Sequence, residues 1–278
     1  MRTIIITGAS DGIGAVASAL LADDATRLVL VGRSPSKTRA VASRIGAEHH
    51  VVDFEHLDEV RDLAAALGSS CERIDVLAHN AGGIFSGPTS TADGFEKTLQ
   101  VNHLAPFLLT HLLIDRLIDS NAAVVSTSSI GALFGRIDLD DLNNWTNFRP
   151  NKAYGDAKLA NILFTKGLHE RFHGDGLSSV AFHPGIVATN FAADTTSYFR
   201  HVYHGAFKGL LTPPEGGGAN LAHFLAGTPG RDWISGEYYN SRQRIGRTNR
   251  QASDPALVRR HWDLTEQMLG IASERTAG

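Results

Sequence analysis

Thr3-Ile4-Ile5-Ile6-Thr7-Gly8-Ala9-Ser10-Asp11-Gly12-Ile13-Gly14 opens the chain with a β-branched apolar run that ends on a glycine-rich loop. Glycines let a backbone come close to a pyrophosphate, and a following helix turns its N-terminal N–H groups toward the anion. The near-continuous apolar content of Ile4-Ile5-Ile6 returns in Leu28-Val29-Leu30-Val31. Such strands are covered on both faces, as a parallel sheet between helix layers requires.

Working outward, short β-branched runs alternate with longer helical patterns. They fall at Thr3 to Thr7, Arg27 to Val31, Glu48 to Val52, Ile74 to His79, Ala122 to Thr127, Leu177 to Phe182 and, more weakly, Glu237 to Asn240. This rhythm predicts an α/β fold: one Rossmann-like, doubly wound parallel sheet of about seven strands with helices on both faces. The chain has 278 residues, 42% hydrophobic and 20% charged, enough to build a core around a single sheet without a second domain. The expected division is a cofactor half over about residues 1–120 and a catalytic and substrate half over about 121–278. Two segments break the rhythm, Ala132 to Asn151 and roughly Phe191 to Pro214, and are expected to frame a substrate.

Composition excludes some functions. A net charge of -3 lacks the basic excess that nucleic-acid backbones select. Cys71 is the only cysteine, so no intrachain disulfide can form. The first strand-like run begins at Thr3, with no room before it for a signal peptide or anchor, and no later apolar stretch is long enough to span a bilayer. A cytoplasmic protein with neither membrane nor nucleic-acid partners is therefore expected. Thirteen histidines look metal-rich, but His49-His50, His201 and His204 come without a matching set of carboxylates or cysteines at ligand spacing, so no metal site is predicted.

A second stretch carries proton chemistry. In Ala153-Tyr154-Gly155-Asp156-Ala157-Lys158 the tyrosine and lysine stand about one helical turn apart and share a face, so the ammonium favours the ionised phenolate. Either motif alone is weak. In this order and at this distance the two resemble the short-chain dehydrogenase/reductase family, which carries Gly-x3-Gly-x-Gly near the N-terminus and Tyr-x3-Lys later in the same domain.

The resemblance implies a nicotinamide dinucleotide and places its contacts. Gly8, Gly12 and Gly14 fall on the three loop glycines, with Ser10, Asp11 and Ile13 lining the loop. After the second run the chain reads Gly32-Arg33-Ser34, where NAD-preferring members carry an acid on the ribose. Arg33 and Ser34 suit the 2'-phosphate of NADP instead, since guanidinium and phosphate form several charge-assisted hydrogen bonds. NADP(H) is the expected cofactor and NAD(H) the alternative. Val52-Asp53-Phe54 matches the adenine-contacting segment, and His79-Asn80-Ala81-Gly82 the family's Asn-Asn-Ala-Gly, with His79 replacing the first asparagine. Pro184-Gly185-Ile186-Val187-Ala188-Thr189 resembles the Pro-Gly-x-Val-x-Thr segment at the nicotinamide half, which adds Pro184, Gly185, Val187 and Thr189.

On the catalytic side, Val124-Val125-Ser126-Thr127-Ser128-Ser129 resembles a Val-Asn-Val-Ser-Ser strand end and points to Ser129, with Ser128 a close rival. Leu99-Gln100-Val101-Asn102-His103-Leu104 resembles the helix that supplies an asparagine, here Asn102. The set Asn102, Ser129, Tyr154 and Lys158 implies a reaction. Hydride passes to a carbonyl carbon while Tyr154, whose ordinary pKa of about 10 must fall, protonates the oxygen. Lys158 lowers that pKa and, in the family, also binds the nicotinamide ribose together with Tyr154. Ser129 hydrogen-bonds the carbonyl oxygen, and Asn102 positions a proton-supplying water.

Within the family the chain is most similar to the retinol-dehydrogenase-like branch. The likeness rests on Val101-Asn102-His103-Leu104 with Phe107-Leu108-Leu109-Thr110, on Tyr154 through Thr165, on the long gap from Ser129 to Tyr154, and on Trp262-Asp263-Leu264-Thr265-Glu266. The branch's membrane anchor is not expected here. Tyr198, Phe199, Tyr203 and Phe207 fall in a segment, about 186–214, that the family uses as a substrate lid. The reading is an NADPH-dependent reductase of a bulky hydrophobic ketone. NAD-dependent oxidation of a secondary alcohol is the first alternative, and a non-catalytic NADP-sensing regulator the second. Ser129 has no Gly-x-Ser-x-Gly elbow around it, which argues against a serine hydrolase. The acidic Asp138-Leu139-Asp140-Asp141 reads as a solvated loop. By resemblance alone, a homo-oligomer is expected to pair through helices near Asp93 to Leu117 and Lys152 to Phe172.

Overall fold

The computed structural model describes residues 1–185 and 214–271. Seven strands form one parallel sheet: β1 (Arg2–Thr7), β2 (Thr26–Gly32), β3 (Glu48–Val51), β4 (Val76–His79), β5 (Ala123–Thr127), β6 (Ser178–Phe182) and β7 (Tyr238–Tyr239). Their spatial order is β3-β2-β1-β4-β5-β6-β7, the doubly wound arrangement, with all seven expected runs present. Local bonds trim the ends. Ile74 was expected to open β4, but its N–H donates to Ser120 Oγ at 3.1 Å and the ladder starts two residues on. Asn240 leaves β7 because its N–H donates to the Arg244 carbonyl at 2.9 Å.

Alternation along each strand sends neighbours to opposite faces. Ile5, Val29, Leu77 and Val124 join one core, beneath α3 (Leu57–Ser70), α5 (Ala105–Leu112), α7 (Pro150–Phe172) and α9 (Pro255–Leu269). Ile4, Ile6, Leu28, Leu30 and Val125 join the other, beneath α1 (Gly12–Leu20), α2 (Pro35–Ile45) and α8 (Pro214–Ala226). Ser34 and Pro35 start α2 as N-cap and first-turn proline, and Gly46 ends it at φ +68°.

The helix expected over Asp93 to Leu117 is not continuous. Glu96 caps α4 (Lys97–Leu99), a π turn spans Gln100–Leu104, and α5 and α6 (Ile114–Asp119) follow. Pro106 has no N–H to give to the Asn102 carbonyl four residues back, and the ladder widens there. The acidic loop is solvent-facing as expected, with Asp138 and Asp140 exposed, and it carries its own hydrogen bonds. The Asp141 carboxylate accepts from the Trp145 and Thr146 N–H groups at 2.9 and 3.0 Å.

Candidate active site

The chain reverses its winding between β1 and β4, which are neighbours in the sheet. In such sheets ligands bind at the carboxyl ends of the strands where the order reverses. Thr7 fastens the two ends: its hydroxyl donates to the Ala78 carbonyl at 3.0 Å and accepts from the Asn80 and Ala81 N–H groups at 3.0 and 3.1 Å. Asn80 Nδ2 donates to the Thr7 and Gly8 carbonyls, both at 3.2 Å. Gly8 has φ +66°, and a Cβ there would lie 2.8 Å from Ala81 Cα. Gly14 presses against the Gly8 carbonyl, which a Cβ would strike. The loop glycines thus serve close backbone packing as well as approach to a ligand.

Two adjoining grooves run along this edge. One is bordered by Gly8, Ser10, Arg33, Asp53, Phe54, Ala81, Gly82, Phe85 and Val101. The other adds Asp11, Gly12, Ile13, Ser34, Lys37 and Asn80. The glycine cradle, the α1 N-terminus and this basic rim fit a dinucleotide. Asp11 caps α1 by accepting from the Gly12 N–H at 2.8 Å, and its other oxygen accepts from Lys37 Nζ at 2.8 Å. Arg33 reaches Glu55 at 3.4 Å, and Lys97 reaches the same carboxylate at 2.6 Å while lying 4.7 Å from the centre of the Phe85 ring. Asp53 shapes the turn by accepting from the Glu55 N–H at 3.1 Å.

The sequence reading missed Lys37, Glu55, Phe85 and Lys97. Lys37 was findable, since Ser34-Pro35 marks a helix start and puts position 37 in its first turn. Glu55, Phe85 and Lys97 converge only through tertiary packing.

On the other side of the β1–β4 edge, α7 carries Tyr154 and Lys158, both buried. Lys158 Nζ donates to the Thr127 carbonyl at 3.1 Å and stands 5.6 Å from the centre of the Tyr154 ring. Burial lowers its pKa to about 7. Ser129 begins the short helical turn Ile130–Phe134 and accepts from the Gly131 N–H at 3.1 Å. A Cβ on Gly131 would lie 3.5 Å from both Ser129 Oγ and Tyr154 Cε1, so both side chains border the same backbone position. Ser128 faces inward and donates to the Lys158 carbonyl at 2.8 Å, which leaves Ser129 beside the tyrosine.

Asn102 lies in the π turn. Its Nδ2 donates to the Gly83 and Thr98 carbonyls at 2.9 and 2.8 Å, and its Oδ1 accepts from the Gly83 N–H at 3.1 Å. Both amide hydrogens are thereby used, and the side chain braces the 80–83 turn. Gly82 closes the group: a Cβ there would strike Asn102 Oδ1 and lie 3.1 Å from Lys158 Nζ.

Pro184 and Gly185 follow β6, with Gly185 at φ +104°. Val187, Thr189 and the aromatics Tyr198, Phe199, Tyr203 and Phe207 lie outside the described residues, as do His201, His204 and the lid segment up to residue 213. Among the described residues no group of three or more His, Cys, Asp or Glu side chains could hold a metal ion, and no helix is long and apolar enough to cross a membrane.

Comparison with known proteins agrees with this geometry. Residues 2–198 match the family model for short chain dehydrogenase. A Streptomyces sp. (strain C5) protein named "Putative daunorubicin C-13 ketoreductase DnrU" is 37% identical, over 97% of this chain and 93% of its own. Human retinol dehydrogenase 13 is 34% identical, over 97% of this chain and 85% of its own. The crystal structure of an uncharacterized protein from Mycobacterium paratuberculosis superposes with a TM-score of 0.76 at 31% identity, covering 98% of this chain and 94% of that one.

Proposed function

The chain belongs to the short chain dehydrogenase family, and we propose that this NAD(P)-dependent oxidoreductase uses NADPH to reduce the carbonyl of a bulky hydrophobic ketone. The observation that carries the reading is that Ser129 Oγ and the Tyr154 ring border the same position, Gly131, with Lys158 Nζ 5.6 Å from the centre of that ring. A carbonyl oxygen seated there receives two hydroxyl groups and no carboxylate. That is the donor set an alkoxide needs as it forms.

When bound, the dinucleotide supplies the hydride. The chain supplies the rest. Gly8, Gly12 and the α1 N-terminus would hold the pyrophosphate, and Arg33, Ser34 and Lys37, which border the same groove, would receive the 2'-phosphate. Ser129 orients the substrate oxygen, and the Tyr154 hydroxyl gives it a proton. A cationic Lys158 favours the phenolate left behind. Asn102 fixes the turn on which Gly82 leaves room for the ammonium.

A large apolar substrate is supported by the turn that follows Ser129, where Ile130 and Phe134 are exposed, Phe134 to 87%. It is also supported by the relative named as a ketoreductase of daunorubicin. The intact acid-base set favours an enzyme over a non-catalytic sensor, and the basic rim favours NADPH over NAD. We take the cytoplasm as its place of work.

The test has two parts. Calorimetric titration should show NADPH binding at least about tenfold more tightly than NADH, with the difference lost in Arg33→Ala. A panel of polycyclic ketones should then be reduced with NADPH by the wild type and not by Tyr154→Phe. Preference for NADH would move the assignment to alcohol oxidation, and turnover undiminished in Tyr154→Phe would remove the acid.

A further inference from the structure

Ser129 is held from a distant part of the chain. It begins the five-residue turn Ile130–Phe134, a tight 3-10 geometry whose hydrogen bonds are poor and whose last carbonyls find no partner inside the turn. The segment between β7 and α9 supplies those partners. Asn249 Nδ2 donates to the Leu133 carbonyl at 3.1 Å and to the Gly135 carbonyl at 2.8 Å, while its Oδ1 accepts from the Gln251 N–H at 3.0 Å. Gln251 then pairs with Ile137 as a neighbouring strand would: Oε1 accepts from the Ile137 N–H at 2.8 Å, and Nε2 donates to the Ile137 carbonyl at 2.9 Å. At the other end of the turn the Ser129 carbonyl accepts from the Ala132 N–H at 3.1 Å and from the Tyr238 hydroxyl, on β7, at 3.4 Å.

The turn also rests on α7. A Cβ on Gly135 would strike the Gly155 carbonyl, and the Arg136 N–H donates to Asp156 Oδ1 at 2.7 Å. Gly155 and Asp156 directly follow Tyr154. The turn thus lies between the helix that carries the tyrosine and a strap that carries Tyr238, Asn249 and Gln251, and the distance from Ser129 to Tyr154 depends on both. We propose that Asn249 is a positioning residue for Ser129, fixing the turn by its two amide donors, with Gln251 and Tyr238 completing the strap. This rests on the reading of Ser129 as the group that holds the substrate oxygen. A misplacement of about 1 Å at such a group can cost about 10²-fold in rate.

The test is a double-mutant cycle on kcat, run with NADPH and the ketone of the polycyclic panel that the wild type reduces fastest. Asn249→Ala removes all three bonds and should lower kcat about tenfold, with the dissociation constant of NADPH changed by less than about twofold. In the Ser129→Ala protein the same substitution should cost less than about twofold, because the group it positions is gone. Equal losses in the two backgrounds would make Asn249 a structural residue only and overturn the proposal. Hydrogen exchange gives a reading without substrate: the Gly131 and Ala132 amides, which donate to Ser129, should exchange faster in Asn249→Ala, and unchanged rates would overturn the proposal equally. Tyr238→Phe is the second variant should Asn249→Ala fail to fold, since it keeps the ring and removes one hydroxyl. Its kcat should fall about threefold, and a loss that persists in Ser129→Ala would count against the strap. Full kcat in Ser129→Ala alone would defeat the reading of the site and the proposal with it, a failure visible in one variant before the cycle is closed. A thermal unfolding curve for each protein separates loss of fold from loss of rate.

Discussion

Lys158 donates from a buried position to the Thr127 carbonyl, at 3.1 Å. Burial brings its pKa from the ordinary 10.5 to about 7, so between those values the unfolded chain binds the proton that the folded chain has lost. Stability of the cofactor-free protein then rises with pH through that window, and below about pH 7 the full cost of a buried cation is present. Lys158→Met should raise the melting temperature at pH 7 by several degrees and flatten its rise toward pH 10. Turnover should fall about 10²-fold or more. Melting curves across that range decide it, and equal slopes in the two proteins would refute the buried-cation account.

Ser128 and Ser129 were hard to tell apart as sequence, and their bonds separate them. Ser128→Ala should cost about 1 kcal/mol through its lost bond to the Lys158 carbonyl, with little change in kcat. Ser129→Ala should leave cofactor affinity intact and lower kcat about 10²-fold. Steady-state kinetics beside urea unfolding reads both. The reverse pattern would hand the substrate oxygen to Ser128.

That pair shows where the sequence was legible. All seven strands could be read because their apolar runs are local, and Tyr154 and Lys158 because one helical turn fixes their geometry. Asn102 was found without its bracing task. The task depends on a π turn set by Pro106 and on a backbone 19 residues away, at Gly83. Glu55 and Lys97 carry no periodic signal, and only the fold brings them to Arg33.

Gly82→Ala tests the packing beneath the site. The added methyl would strike Asn102 Oδ1, which cannot yield while it accepts from the Gly83 N–H. Destabilisation of about 1–3 kcal/mol is expected from overpacking, together with a fall in kcat as Lys158 Nζ is displaced. Normal stability with full activity would show that the 80–83 turn is looser than its bonds imply.

His79 takes the place of an asparagine in the family pattern and predicts acid sensitivity. Thr110 donates to the Pro106 carbonyl at 3.0 Å, so the 2.6 Å contact requires His79 Nε2 to donate to Thr110, and Nδ1 has no hydrogen-bond partner. Burial first, and then His103, hold the His79 pKa near 3, while burial holds His103 near 4 and His261 well below 6.5. The unfolded chain takes up these protons first, so stability is complete above about pH 6.5 and is lost as pH falls toward 3, by up to about 1.4 kcal/mol per pH unit for each group. Urea unfolding at pH 7 and pH 5 should show a smaller loss for His79→Asn than for the wild type. Equal losses would mean that His79 does not drive the acid limb.

Trp262 decides the last prediction. It lies on α7 in a notch made by Gly167, where a Cβ would come within 2.7 Å of its ring, and its ring centre is 4.6 Å from that of Phe107 and 5.8 Å from that of Phe164. Arg171 covers it at 4.5 Å and bonds Asp263 at 3.1 Å. The helices through which a second copy was expected to pair therefore have α9 packed against them within the same chain. We expect the wild type to sediment as a monomer at micromolar concentration. Trp262→Ala should lose about 3–5 kcal/mol and self-associate as the aromatic face of α5 and α7 is uncovered. A wild-type dimer broken by charged substitutions on α5 or α7 would show that α9 leaves enough of that face open for a partner.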